Sequence, residues 1–213
     1  SVNYMNQEGI VKNNGVSRFS ARLNLDQELS EYVSFGLTAT YSQNKYDNVP
    51  LGDNANEYSG VLTGAIQSNP TIPIYDSEGN YFIDPKRPFV ANPVSLLDIK
   101  DNTVKDRIIG SAFVSVKPLK DLEVKLQLGV DRSFQKRSSY LPKTTLQGKT
   151  KNGRADISQE TSTAYLMELT AQYSKSFGDH NVKAIGGYSF QKFKNDGLSA
   201  GNEDFLVDGF GYN

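Results

Sequence analysis

The sequence predicts an all-β protein: an antiparallel up-and-down meander forming part of a transmembrane β-barrel, with long extracellular loops carrying short helices. Three observations lead there. Long runs alternate apolar and polar residues with a period of two. Twelve Tyr, eleven Phe and eighteen Gly with no Trp make a strand-and-turn composition. The predicted turns are short at one end of the meander and long at the other, the asymmetry of outer-membrane barrels.

The first hairpin opens at R-F-S-A-R-L-N-L-D. Phe19, Ala21, Leu23 and Leu25 share one face, and Arg18, Ser20, Arg22, Asn24 and Asp26 the other. After Q-E-L-S-E, the run returns with Val33, Phe35, Leu37, Ala39 and Tyr41 against Ser34, Gly36, Thr38, Thr40 and Ser42. The second hairpin places Ile108, Gly110, Ala112, Val114 and Val116 on one face. It turns at K-P-L-K-D and returns with Leu122, Val124, Leu126, Leu128 and Val130. The third places Thr163, Tyr165, Met167, Leu169, Ala171 and Tyr173 together, turns at F-G-D-H-N, and returns through Val182 to Phe190.

Strand length favours a membrane. Tyr32 to Tyr41 spans about 30 Å at ~3.3 Å per residue. Tilted by about 40°, it covers roughly 23 Å, close to the ~25 Å apolar band of an outer-membrane barrel. Tyr at both ends fits interfacial girdles, and the polar face then lines a lumen. A soluble β-sandwich also has alternating strands. As a carbohydrate-binding or adhesion module, it is the alternative reading.

Residues 44–103 and 136–160 form the two long loops. Within the first, Tyr58, Val61, Leu62, Ala65 and Ile66 have near-helical spacing, so a short helix is expected over 54–68, weakened by Gly60 and Gly64. Asn69-Pro70 stops it. A second short helix is expected over 92–99, with Asn92 as cap and Pro93 first in the helix. Between them, N-P-T-I-P-I-Y-D-S-E-G-N-Y reads as a small extended or hairpin excursion turning at Gly79.

The chemistry is sparse. There is one His, His180, in a turn, and no Cys, so no nucleophile and base pair can be argued and no enzyme is expected. Asp76, Glu78, Asn80 and Asp84 loosely resemble a calcium loop. Gly79 stands fourth rather than sixth, however, and Arg87 holds the twelfth position. No phosphate-cradling glycine loop follows a strand, and neither cofactor nor metal is implied. A net charge of −1 argues against nucleic acid as a partner. No run of about 18 apolar residues exists, which leaves barrel strands untouched as an option. The opening S-V-N-Y-M-N-Q-E-G and the ending G-F-G-Y-N predict an internal piece of a longer protein.

An ordered set of segments carries a resemblance. It comprises N-Q-E-G-I-V-K-N, R-F-S-A-R-L-N-L-D, N-P-T-I-P-I-Y-D-S-E-G-N-Y, N-P-V-S-L-L, R-S-S-Y-L-P-K-T-T and H-N-V-K-A-I-G-G-Y-S-F-Q. Together they resemble the barrel region of SusC/RagA-type TonB-dependent outer-membrane transporters of Bacteroidetes. That resemblance implies a barrel of about 22 strands, of which 1–213 is a part lacking the plug domain. It implies import of a glycan or peptide and residence in outer-membrane lipid. TonB would act through the missing plug region, and a SusD-like surface lipoprotein would form the lid. Tyr75, Tyr81 and Phe82 are then candidate contacts for ligand or lid protein, against simple packing within the loop. A passive porin, with no plug, is a third reading.

Overall fold

The computed structural model describes residues 1–50, 60–208 and 211–212. Among them run seven strands: β1 (Val2–Glu8), β2 (Gly15–Ser30), β3 (Val33–Asp47), β4 (Lys100–Leu119), β5 (Leu122–Leu141), β6 (Arg154–Phe177) and β7 (His180–Glu203). They pair antiparallel, each with its sequence neighbour, in one sheet ordered β1 to β7. Three short helical pieces lie in the links: α1 (Val61–Gln67), a 3₁₀ turn (Ser95–Asp98) and α2 (Leu146–Lys151).

The register keeps the alternation in step across the sheet. One row runs Leu25, Leu37, Ala112, Leu128, Met167, Phe190. The midpoint of the apolar run slides toward the tight turns from strand to strand. Arg22, midway in β2, lies opposite Thr40, three residues short of the β3 midpoint Leu37. Leu37 faces Ala112, Ala112 faces Leu128 two short of Leu126, Leu126 faces Leu169, and Leu169 faces Tyr188 two short of Gly186. The slide totals about seven residues in five strand steps, roughly 23 Å along the strands against roughly 24 Å across them. If the apolar band is level in a membrane, the strands tilt by about 44°, near the upper end of the range for outer-membrane barrels.

The strands run farther than the apolar pattern. The links between β3 and β4 and between β5 and β6 are 48–99 and 142–153, not 44–103 and 136–160. Ladder bonds join backbones whatever the side chains are, so pairing continues through Lys45↔Val104 and Lys136↔Gln159 after the apolar face ends. β1 has too short an alternation to stand out, yet it pairs Tyr4 with Phe19 and Val2 with Ala21. The three tight turns reduce to Glu31-Tyr32, Lys120-Asp121 and Gly178-Asp179. Gly178 supplies the positive φ of 57° that the last one needs.

Among the described residues, the sheet has no second layer. A sandwich would cover the apolar face, whereas here Leu23 is 56% and Leu128 48% exposed on it. Buried apolar residues instead cluster in the links. Val49, Val61, Ala91 and Leu96 form a small core, with Val11, Leu97, Ile99 and Leu146 packed against it. The loop end is therefore a folded cap drawn from the β1–β2 link, the 48–99 link and α2.

The helices are shorter than expected. Of 54–68, residues 54–59 fall outside the described residues, and the helix proper is Val61–Gln67. Gly64 weakens helix propensity but lets α1 lie on Pro93. A Cβ at Gly64 would stand 3.1 Å from the proline ring. Of 92–99, only Ser95–Asp98 winds, as 3₁₀.

Candidate functional site

Two surfaces present chemistry: the polar face of the sheet and the cap. The polar face is a ladder of paired groups. Arg107 grips Asp131 with a two-pronged fork at 2.9 and 2.5 Å, which fixes the planar carboxylate geometrically. Nearer the cap, Arg137 grips Asp101 in the same way. Ser115 donates to Glu123 at 2.6 Å, and the Lys125 ammonium stands 4.3 Å from the Phe113 ring centre. Phe113 lies over Gly36, where any Cβ would collide with the ring. Among the described residues, no buried side-chain polar atom lacks a partner. Such a face tolerates water, as a lumen wall must.

The apolar face ends in aromatics. Phe19 and Tyr41 meet with ring centres 6.3 Å apart. The Tyr41 hydroxyl donates to Asp106 at 2.7 Å, and Gln43 donates to the same oxygen at 2.9 Å. A ring on the apolar side and a hydroxyl on the polar side suit a membrane border.

In the cap, the three candidate residues come together on one small hairpin. Tyr75 and Tyr81 pair as a bridge and stack with ring centres 5.3 Å apart and planes 29° apart. Each thereby spends one face on the other, while Tyr75 stays half exposed. Phe82 lines a shallow groove with Ile74, Pro73 and Pro93. Burial pushes the Tyr81 hydroxyl up to about 12, and the adjacent Asp98 carboxylate adds to the rise. The hairpin turns on Asp76. Its Oδ1 accepts the backbone N–H groups of Glu78 and Asn80, both at 2.9 Å, and Gly79 takes φ of 85°. The Asn80 amide leads in holding the Asp76 carboxyl below its ordinary value. This carboxylate is engaged by its own turn rather than aimed at a cation.

Sequence reasoning missed the residue that ties the cap together. Asn92 was expected only as a helix cap. Its Oδ1 does accept from Val94 N at 3.0 Å, but its Nδ2 also donates to the Ile74 and Phe82 carbonyls at 2.9 and 3.2 Å. One side chain thus joins both arms of the hairpin to the 3₁₀ turn. Thr145 was also missed. It is 1% exposed, donates to Pro142 O and accepts from Gly148 N, so capping α2. Tyr140, at the top of β5, donates to Asp208 and packs edge-on against Phe205, pinning the returning chain. Its hydroxyl is pushed up to about 12, by burial first and Asp208 second. Between the β1–β2 link and the cap lies an open cleft of about 1100 Å³, lined by amides and carboxylates including Asn6, Asn14, Asp47, Asp98 and Asp101.

Comparison with known proteins now bears on this arrangement. The chain is 28% identical over its whole length to TonB-dependent receptor P3 of Formosa agariphila, and 29% identical to TonB-dependent receptor P26 of the same organism. It is 22% identical over 94% of its length to TonB-dependent receptor SusC of Bacteroides thetaiotaomicron. The chain matches a stretch of the SusC/RagA-type TonB-dependent receptors. It spans about a fifth of the length of these relatives, 22%, 21% and 22% respectively. No protein-family model matches it. Among solved structures, the RagAB peptide transporter superposes with a TM-score of 0.77 at 20% identity, covering 98% of this chain and 24% of that one. The RagAB peptide importer in its closed-closed state gives 0.74 over 97% of this chain. At that identity the likeness is one of fold, the seven-stranded antiparallel meander.

Proposed function

We propose that this chain forms part of the barrel wall and the extracellular surface of an outer-membrane nutrient importer of SusC/RagA type. The observation that carries the reading is the bare apolar face. Its aromatic-bordered band slides toward the tight turns across six strands, opposite a polar face on which, among the described residues, no buried side-chain polar atom lacks a partner. An apolar sheet face of this size needs lipid against it. The open edges of β1 and β7 need further strands, because a barrel leaves no edge unpaired in a membrane. The rest of the receptor supplies those strands, the plug and, through the plug, the coupling to TonB.

The links 48–99 and 142–153 face the cell exterior, and a SusD-like lipoprotein lies over them. The cargo is a glycan or peptide. Tyr75 and Phe82 present aromatic surface on the small hairpin of the cap, with Tyr81 backing Tyr75. They serve as contacts for cargo or lid.

The orientation is tested in the intact receptor in its own cells. The sequence has no Cys, so single cysteines report cleanly on this segment. With a membrane-impermeant maleimide, Ser77→Cys in the cap should label in whole cells, and Asp179→Cys in the tight turn only after lysis. The reverse pattern would invert the assignment, and labelling of Leu126→Cys in mid-wall would remove the membrane reading.

A further inference from the structure

The outward face is not symmetric about its apolar band. On β5 the band ends at Val130, and Arg132 and Lys136 follow on the same face. On β7 it ends at Phe190, and Lys192 and Lys194 follow. β6, between them, offers Thr163 and Thr161. Arg132, Thr163 and Lys194 lie in one row across the three strands, and Lys192 lies one row nearer the band. Among the described residues, Asp196 is the one acid on this face of β5–β7 above the band, and it pairs with Lys194 at 3.0 Å; on the adjoining β4, Asp106 shares the face and is engaged by Tyr41 and Gln43. Among the described residues, Arg132, Lys136 and Lys192 have no ion-pair partner. The neighbouring carboxylate Asp131 points to the opposite face and is held there by Arg107. At the turn end of the same strands the outward charge is balanced: Lys175 pairs with Asp121 at 3.6 Å.

Height decides what these cations meet. They stand six to ten residues beyond the band midpoints Leu126 and Gly186. At about 2.4 Å of membrane normal per tilted residue, that is roughly 14 to 24 Å from the midplane. The hydrocarbon ends about 15 Å from the midplane, and the headgroups reach about 20 to 22 Å. Arg132 and Lys192 therefore sit at the foot of the headgroup layer, and Lys136 at its top. Arg132 and Lys194 lie two strand spacings apart, about 10 Å, and both side chains are long enough to converge on one group between them. The partly exposed Thr161 hydroxyl adds a neutral donor, while Thr163 lies buried between the strands. A guanidinium fork beside ammonium groups and a hydroxyl suits a phosphate, and the membrane layer at this height is where phosphates are.

We infer that the outward face of β5–β7, above the apolar band, is a seat for the phosphate headgroup of an anionic lipid in the outer leaflet. The inference rests on the membrane-wall reading above. It assigns Arg132, Lys136 and Lys192 to lipid rather than to cargo.

The test uses the intact receptor, purified in detergent and relipidated with equal amounts of phosphatidylglycerol and phosphatidylcholine. Native mass spectrometry counts the lipid of each kind that remains bound. The wild type should prefer phosphatidylglycerol, and each of R132Q, K136Q and K192Q should lower that preference by up to about fivefold. About 0.5 M NaCl should collapse it as the Debye length shortens. A wild type without preference overturns the proposal, and so does a triple variant that keeps it. Displacement of the lipid by inorganic phosphate alone would overturn the headgroup assignment. Heat-modifiable migration in gels checks that each variant is a closed barrel. A receptor that forms no barrel refutes the wall reading, whereas a closed barrel without preference refutes only the lipid seat.

Discussion

Leu128 in the wall is 48% exposed, and Leu96 in the cap is 1% exposed. Both are leucines in well-formed structure, yet they answer to different solvents. The wall leaves its polar face open to water and shows its apolar groups on the other. The cap does the reverse, burying Leu96 with Val49, Val61 and Ala91 as a soluble domain does. Hydrophobic burial away from water therefore stabilises the cap directly. On the membrane-wall proposal, the wall draws instead on ladder hydrogen bonds and on transfer into lipid. The same chain crosses between the two regimes within one strand, at about Tyr41 on β3 and Val130 on β5.

Leu96→Ala should show the contrast most strongly. It leaves a cavity in the cap and should cost about 2–5 kcal/mol. Hydrogen exchange in the intact receptor should then speed up over residues 60–99 and leave β4 and β5 unchanged. Leu126→Arg attacks the other regime at mid-band and should cost the wall about 2–4 kcal/mol. Refolding titrations into lipid would read that loss, and an unaffected wall would mean the face does not meet hydrocarbon. Asn92→Ala should cost about 1–3 kcal/mol by stranding the Ile74 and Phe82 carbonyls. Proteolysis between Ile72 and Arg87 should rise without any change in barrel closure. Leu128→Ala in the wall should cost less than about 1 kcal/mol, because lipid fills the space and no cavity remains. A loss as large as that of Leu96→Ala would show that Leu128 is packed against protein.

The smallest effect is a pH dependence. The Asp76 carboxyl is held below its ordinary value by the backbone N–H groups of its turn. Its contribution is therefore present above the unfolded value near 3.9 and fades as the pH falls through the folded one. The Glu78 and Asn80 amides should lose protection in that acidic window, after correction for intrinsic exchange. Protection that persists there would mean the turn does not need the charge.

The wall was legible in the sequence because alternation is a local signal. Leu122 to Val130 announces its face without any partner. What alternation hid was strand length, since Lys45 and Lys136 stay in the ladder where the apolar face has stopped. The cap was far less legible. Its core joins Val11, Leu96 and Leu146, which are far apart in the chain, and no periodicity links them. Asn92 reads locally as a cap. Its two bonds to Ile74 and Phe82 exist only because the hairpin folds back over it. Tyr75, Tyr81 and Phe82 stood out in the sequence as loop aromatics, but the stacking of Tyr75 on Tyr81 depends on the cross-strand pairing of the small hairpin, which no local pattern marks.

The far-flung origin of the cap's core has a consequence for assembly. A slip of two residues between β2 and β3, or between β5 and β6, keeps every side chain on its own face, so the wall itself registers little error. The β2–β3 slip carries Val11 about 6.6 Å away from Leu96, beyond reach of contact. The cap therefore works as a vernier: its core closes only when β2 and β3 beneath it are aligned to the residue.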